Sequence, residues 1–314
     1  MALLVISESI DPERFAGELR KLAPDMDIRV WPEAGEAKDI RYTLVWRQPA
    51  GILKTFPNME AIFSIGAGVD HVLSDPDLPN VPLVRFVDPN LTMRMSEYVC
   101  LHVLAHQRRM LEYAELQRRR TWKELWPQPG ANEIRVGMLG LGVLGQDAAY
   151  HLAWLGFDVA GWSRSQKSLE AIQCYHGTDE LDAFLTRTDI LVCLLPLTPE
   201  TRGMLNAELF AGLAGDGPLP GPVLINAGRG GLQVEADILA ALESGALWAA
   251  SLDVFEEEPL AETSPLWDHP RVIVTPHNAS ISDDRAVCAY VLDQIERHEN
   301  GKPLENAVDA GRGY

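Results

Sequence analysis

Short apolar runs alternate with longer amphipathic stretches along this chain. Ala2 to Ile6, Asp27 to Trp31, Tyr42 to Trp46, Ala61 to Ile65 and Leu83 to Phe86 have strand length and strand composition, and Asp11 to Ala23 repeats with helical spacing. That order predicts a parallel α/β unit over about the first 90 residues. From Met95 to Arg120 the chain carries no Gly or Pro, and its apolar positions are too dense for a simple surface helix, so the pattern predicts one long helix leaving the first unit. A looser stretch from Thr121 to Asn132 marks a boundary.

A second series follows. Strands are expected at Arg135 to Leu139, Phe157 to Trp162, Ile190 to Leu195, Pro222 to Asn226, Ala249 to Asp253 and Val272 to Thr275, with helices at Val143 to Leu155 and Val234 to Leu242. Six strands alternating with helices predict a doubly wound sheet. Asp283 to Glu299 is a final helical pattern, and the chain shows no internal repeat.

Composition narrows the classes. A chain of 314 residues suits about two domains, and 46% hydrophobic with 23% charged residues is a globular composition. The 27 Lys and Arg against 45 Asp and Glu leave a formal charge of −18, which repels nucleic-acid backbones and anionic lipid. Neither nucleic acid nor membrane is an expected partner, and any anion site must be local. No apolar stretch nears the roughly 18 residues of a membrane span. Cys100, Cys174, Cys193 and Cys288 lie far apart without zinc-type spacing, so reduced thiols and no metal are expected. The opening residues lack a basic segment before their apolar run, which fits a cytoplasmic protein rather than an exported one.

Gly140, Gly142 and Gly145 satisfy GxGxxG between an expected strand and an expected helix, the context that a dinucleotide site requires. Gly140 would permit the tight turn, Gly142 the approach of pyrophosphate, and Gly145 close helix–strand packing. The amides of Val143 and Leu144 would point at phosphate oxygens, binding an anion without net positive charge. The next strand ends in Ser163, Arg164 and Ser165 with no carboxylate. A carboxylate there would favour NADH, whereas an arginine and two hydroxyls suit a 2′-phosphate, so NADPH is the expected cofactor and NADH the weaker one. A solvated arginine after a strand would read the same way.

Three later strands are each followed by a chemically useful group: Arg229, then Asp253 and Glu258, then His277. Parallel strands would bring them out along the edge that carries the glycine-rich turn. Arginine could hold the carboxylate of a 2-keto acid and polarise its ketone, and histidine could protonate the forming alkoxide. Glu258 beside His277 would fix its tautomer and keep the proton available. Singly, each has a plainer reading, as a cap, a loop-packing histidine or a solvated charge run; their joint occurrence carries the argument.

In order, GLGVLG, LLPLTPETRGMLN, NAGRG, LDVFEEEPL and TPHNAS make the chain resemble the D-isomer-specific 2-hydroxyacid dehydrogenase family over nearly its whole length. FSIGAGVDH near Phe63, GWSRS and the terminal Arg312-Gly313-Tyr314 resemble its glyoxylate- and hydroxypyruvate-reducing branch. The resemblance implies two doubly wound parallel-sheet, Rossmann-like domains with the active site in a cleft between them. Residues 1–98 with 284–314 would form the substrate domain, and 99–283 the dinucleotide domain. The stretch 95–120 would be the dimerisation helix of a homodimer.

It further implies Arg229, Glu258 and His277 as catalytic residues and Asp253 as a nicotinamide contact. Backbone amides of Gly66, Ala67 and Gly68 would hold the substrate carboxylate, with Arg229. Leu195, Pro196 and Ala227 complete the cofactor candidates, and Trp46 and Arg47 are substrate candidates, core packing and solvent exposure being the alternatives. His71 reads as a packing residue. Two positions depart from many relatives: Leu194 stands where a histidine is frequent, and Ser163 where Asp is frequent. The expected reaction is reduction of glyoxylate to glycolate and of hydroxypyruvate to D-glycerate. A larger 2-keto acid is the alternative substrate, and a dinucleotide-sensing, corepressor-like binding protein the alternative of another class.

Overall fold

A computed structural model describes residues 1–309; Arg312-Gly313-Tyr314 lies outside the described residues. The chain divides into two compact units, Met1–Leu91 with Ile281–Tyr314, and Thr92–Ser280. The divisions fall at 91/92 and 280/281, where 98/99 and 283/284 were expected.

The first unit contains β1 (Ala2–Ser7), α1 (Pro12–Leu22), β2 (Asp27–Val30), β3 (Ile40–Trp46), β4 (Ala61–Ser64), α2 (Asp70–Leu73) and β5 (Leu83–Val84). The helix α3 (Pro89–Gln107) then begins, and α4 (Met110–Arg118) follows it. The second unit continues with β6 (Arg135–Leu139), α5 (Val143–Trp154), β7 (Asp158–Ser163), β8 (Gln173–His176), α6 (Leu181–Thr186), β9 (Ile190–Cys193), α7 (Ala207–Ala211), β10 (Val223–Asn226), α8 (Glu235–Ser244), β11 (Ala249–Leu252) and β12 (Val272–Val274). The last helix, α9 (Asp284–Glu299), returns to the first unit.

The first unit is a five-stranded parallel sheet in the order β2-β1-β3-β4-β5. Its helix α1 begins as its sequence directs: Asp11 accepts the Glu13 amide, Pro12 fills the first helical position, and Arg20 and Lys21 lie in the last turn. Helix α9 is capped by Asp283 and buries Val287, Cys288, Val291 and Ile295. It packs on α1, and Arg14 reaches across to Asp284 with two 3.0 Å bonds. One C-terminal helix therefore completes the N-terminal unit.

The second unit is a seven-stranded, all-parallel sheet ordered β12-β11-β10-β9-β6-β7-β8. Strand order reverses between β6 and β9, the switch point outside which doubly wound sheets bind ligands. Apolar layers cover both faces, one including Met95, Val99 and Val103 of α3 with Ala148 and Leu152 of α5, the other including Phe184, Phe210 and Ile238. The seventh strand, β8, was not expected, because Cys174, Tyr175 and His176 are all half-buried and show neither an apolar run nor alternation.

The single helix expected from 95 to 120 is corrected to two. Asp88 accepts the Leu91 amide ahead of Pro89, so α3 starts earlier, and Arg109 turns left-handed, with φ +55°, between α3 and α4. The turn is held by two bonds from the Arg109 guanidinium to Glu112, at 2.6 and 2.7 Å, with the guanidinium 6.0 Å from the centre of the Trp248 ring. No helix among the described residues is long and apolar enough to cross a membrane, and the four cysteines are unpaired.

Candidate active site

The strand register of the second unit lines up one sheet edge. Val274, Leu252, Asn226, Cys193, Leu139 and Trp162 pair in sequence across β12, β11, β10, β9, β6 and β7. The residues just beyond these positions are Thr275 to His277, Asp253, Ala227 to Arg229, Leu194 to Pro196, Gly140 and Ser163. The candidate groups of this unit therefore leave the sheet at one edge, across the point where strand order reverses.

The glycine-rich turn is built from close approaches. Gly140 has φ +114° and packs on the Leu194–Leu195 backbone; a β-carbon at Gly145 would lie 1.9 Å from the Gly140 carbonyl oxygen. Among the described residues, a β-carbon at Gly142 would meet nothing within 4 Å, so the space beside it is open. Gly142 caps α5 without a side-chain hydrogen bond, leaving the first-turn amides, Val143 and Leu144 included, without a side-chain cap. An open space before uncapped helix amides fits a pyrophosphate.

At the end of β7, Ser163 is buried and its hydroxyl donates to the Ser165 carbonyl at 2.7 Å, while Arg164 and Ser165 are exposed. The turn thus presents a cation and a hydroxyl with no carboxylate in its sequence. Leu195 and Ala227 are buried, and the Pro196 carbonyl accepts the Thr201 hydroxyl at 2.7 Å, fixing the segment after β9.

Arg229 lies half-buried in the turn after β10, and its Nη1 donates to the Gly228 carbonyl at 2.8 Å. The buried Asn226 shapes that turn. Its side-chain amide donates to the Arg229 carbonyl (3.2 Å) and to Gln233 (2.8 Å), and its carbonyl oxygen accepts the Gly228 amide (3.1 Å). Gln233 in turn donates to the Val254 carbonyl at 3.0 Å. Sequence reasoning missed this bracket. The signal for Asn226 was a polar residue ending an apolar strand, which needs a buried partner; Gln233 carried none.

His277 Nδ1 lies 2.9 and 3.1 Å from the two Glu258 carboxylate oxygens, and both side chains are partly exposed. Nδ1–H donating to Glu258 leaves Nε2 for a ligand. Glu258 also accepts the Phe255 amide at 3.2 Å. His277 itself is left-handed, with φ +51°, and its amide donates to the Asp253 carbonyl at 2.7 Å. The Asp253 carboxylate accepts Thr275 Oγ1 (2.6 Å) and the amides of Asn278 and Ala279 (both 2.9 Å).

In the first unit, Trp46 ends β3 half-buried, its ring 4.5 Å from that of His71, and a β-carbon at Gly66 would lie 2.6 Å from the Trp46 ring. The structure therefore brings Trp46, Gly66 and His71 together, and leaves Arg47 exposed with φ +47°. The Gly66 amide donates to Ser64 Oγ at 3.3 Å, and the Ser64 hydroxyl donates to the Gly68 carbonyl at 3.1 Å, which ties the turn to the end of β4.

Known proteins resemble this chain along its whole length. The family model described as the D-isomer specific 2-hydroxyacid dehydrogenase NAD binding domain matches residues 100–279. The chain is 39% identical to the glyoxylate/hydroxypyruvate reductase A of Serratia proteamaculans and 40% identical to that of Klebsiella pneumoniae strain 342, over all of each chain. It is similar to the NADPH-dependent glyoxylate/hydroxypyruvate reductase of Sinorhizobium meliloti in complex with NADP and sulfate, with 49% identity, TM-score 0.94 and complete coverage of both chains. A probable 2-hydroxyacid dehydrogenase of Rhizobium etli, in complex with NADP, HEPES and L(+)-tartaric acid, gives 45% identity and TM-score 0.94 over 100% of this chain and 99% of that one. The chain belongs to the D-isomer-specific 2-hydroxyacid dehydrogenase family, a family of oxidoreductases.

Proposed function

We propose that this protein reduces glyoxylate and hydroxypyruvate with NADPH. The observation that carries the reading is the His277–Glu258 pair on the sheet edge that also bears Arg229 and an uncapped, glycine-lined helix start. The Serratia and Sinorhizobium relatives, both named as glyoxylate/hydroxypyruvate reductases, support it.

Residues Gly140 to Gly145 would hold the pyrophosphate, Arg164 and Ser165 the 2′-phosphate, and Leu195, Pro196 and Ala227 the cofactor beyond it; Ser163 would shape the phosphate turn. When bound, the nicotinamide supplies hydride to the keto carbon. The Arg229 guanidinium would hold the substrate carboxylate and draw electron density from the ketone. His277 would give its Nε2 proton to the developing alkoxide while Glu258 fixes the ring and stabilises its charge. The first unit's proposed part is the Gly66, Ala67 and Gly68 amides, with Trp46 and Arg47 as further substrate contacts. These local donors would admit two small anions into a chain of charge −18.

We also infer a homodimer and a cytoplasmic enzyme. Leu101, Met110, Trp122 and Trp126 are 63%, 53%, 100% and 74% exposed within one stretch of chain, large apolar groups that a second copy would cover. Sedimentation of the protein, with Trp122→Ser and Trp126→Ser for comparison, tests the dimer.

The activity is tested by following nicotinamide absorbance with glyoxylate and hydroxypyruvate, using NADPH and NADH separately. A higher kcat/KM with NADPH is expected. His277→Ala should lower turnover by about 10²–10⁴-fold with little change in NADPH affinity. Near-normal turnover in that variant, or no oxidation with either acid, would sink the reading.

A further inference from the structure

The loop that carries His277 is wrapped around Asp253. Three donors from that loop converge on the Asp253 carboxylate, and the Asp253 carbonyl accepts the His277 amide. His277 sits inside this wrap in a left-handed conformation, uncommon for a residue with a side chain, and its amide is tied to the Asp253 carbonyl there.

The wrap has a second layer. Thr275 has one hydroxyl proton, and at 2.6 Å from a carboxylate it is given to Asp253. The Tyr98 hydroxyl lies 2.9 Å from the same Thr275 oxygen and must therefore be the donor of that bond. The order Tyr98 to Thr275 to Asp253 follows from the donor inventory alone. Burial, reinforced by the charge of Asp253, raises the Tyr98 phenol above its ordinary range, so it keeps its proton at any working pH. Behind it, the Tyr98 ring lies 4.1 Å from that of His102, and His102 and His106 share the hydroxyl of Ser251 at 2.8 and 2.7 Å. Helix α3 thereby reaches the strand end that supports the His277 loop.

We propose that Tyr98 and Thr275 are positioning residues that act through Asp253 to set the conformation in which His277 is presented to substrate. The inference rests on the reading of His277 as proton donor. It gives the Asp253 carboxylate a task toward its own protein, beyond a contact with nicotinamide.

The test compares Thr275→Val, Thr275→Ser and Tyr98→Phe with the unaltered protein and with His277→Ala. Three quantities are read: kcat, NADPH affinity by fluorescence titration, and hydrogen exchange of the peptide containing residues 275–280. Thr275→Val should lower kcat about ten- to a hundredfold, the scale of a small misplacement of a reacting group, and speed exchange in that peptide. NADPH affinity should stay within about twofold. Thr275→Ser should restore kcat and protection. Tyr98→Phe should cost about fivefold, the weight of one hydrogen bond.

Unchanged kcat and exchange in Thr275→Val, with His277→Ala inactive, would overturn the positioning role and leave the reading of His277 standing. Weakened NADPH binding at unchanged kcat would overturn it in favour of Asp253 serving the cofactor alone. Active His277→Ala would remove the reading on which it rests.

Discussion

A β-carbon on Gly230 would lie 1.7 Å from the carbonyl oxygen of Phe255. The turn carrying Arg229 is thus packed, backbone on backbone, against the segment leading to Glu258. The two loops cannot separate their positions: what moves one displaces the other. The Phe255 amide bond to Glu258 continues the link toward His277.

Gly230→Ala should therefore act on both loops. It forces the Phe255 carbonyl aside, at a cost of about 3 kcal/mol from overpacking. Urea unfolding should show that loss, and kcat should fall more than NADPH affinity weakens. Unaltered stability would mean that the turns yield without strain.

Glu258→Gln keeps the shape but changes the chemistry at His277. A neutral amide can accept from Nδ1–H, yet it cannot stabilise a positively charged ring. If it turns its NH2 toward Nδ1, it favours the wrong tautomer. Turnover should fall by about 10²-fold or more, with KM for the keto acid changed far less. A variant with ordinary kcat would show that Glu258 is not the orienting group.

Much of this site could be read from the chain because its parts obey short-range rules. Strand patterns located the ends after which Arg229, Asp253 and His277 fall, and parallel pairing then brought them together. GxGxxG needed only its flanking strand and helix. Most of what escaped depends on partners distant in sequence. Tyr98 and Thr275 stand 177 positions apart, and no periodicity links them. The left-handed turn at Arg109 is fixed by polar bonds to Glu112 and leaves no mark in the apolar spacing, and β8 exists because β7 offers it an edge, not because its own pattern requires a strand. The positive φ of His277 is likewise set by Asp253 and invisible locally.

Arg164→Ala tests the cofactor reading at its source. An arginine bonded to a phosphate contributes about 1.5–3 kcal/mol, so kcat/KM with NADPH should fall about ten- to a hundredfold. NADH has no phosphate at that position, and its kcat/KM should stay within about twofold. Equal losses with both cofactors would assign Arg164 to the fold of the turn, not to the phosphate.

The buried histidines of α3 make acid stability a separate, checkable matter. Burial lowers His102 to about 4, with the charge of Asp253 opposing, and lowers His106 to about 3, with His102 adding to the effect. Unfolded, both would titrate near the ordinary value of about 6.5. Below that value the unfolded chain binds protons that the folded chain refuses, so stability is fully present above about pH 6.5 and falls with pH toward the folded values. Each histidine adds a slope of up to about 1.4 kcal/mol per pH unit. Two neutral rings share one Ser251 hydroxyl, which donates to one and accepts from the other. His106→Leu leaves Ser251 free to donate to His102 and removes one titrating group. Urea midpoints measured from pH 7 to pH 4 should therefore decline less steeply in that variant, by about one proton's slope, because the carboxylates titrate alike in both proteins. Parallel declines would mean that His106 is protonated in the folded state over that range.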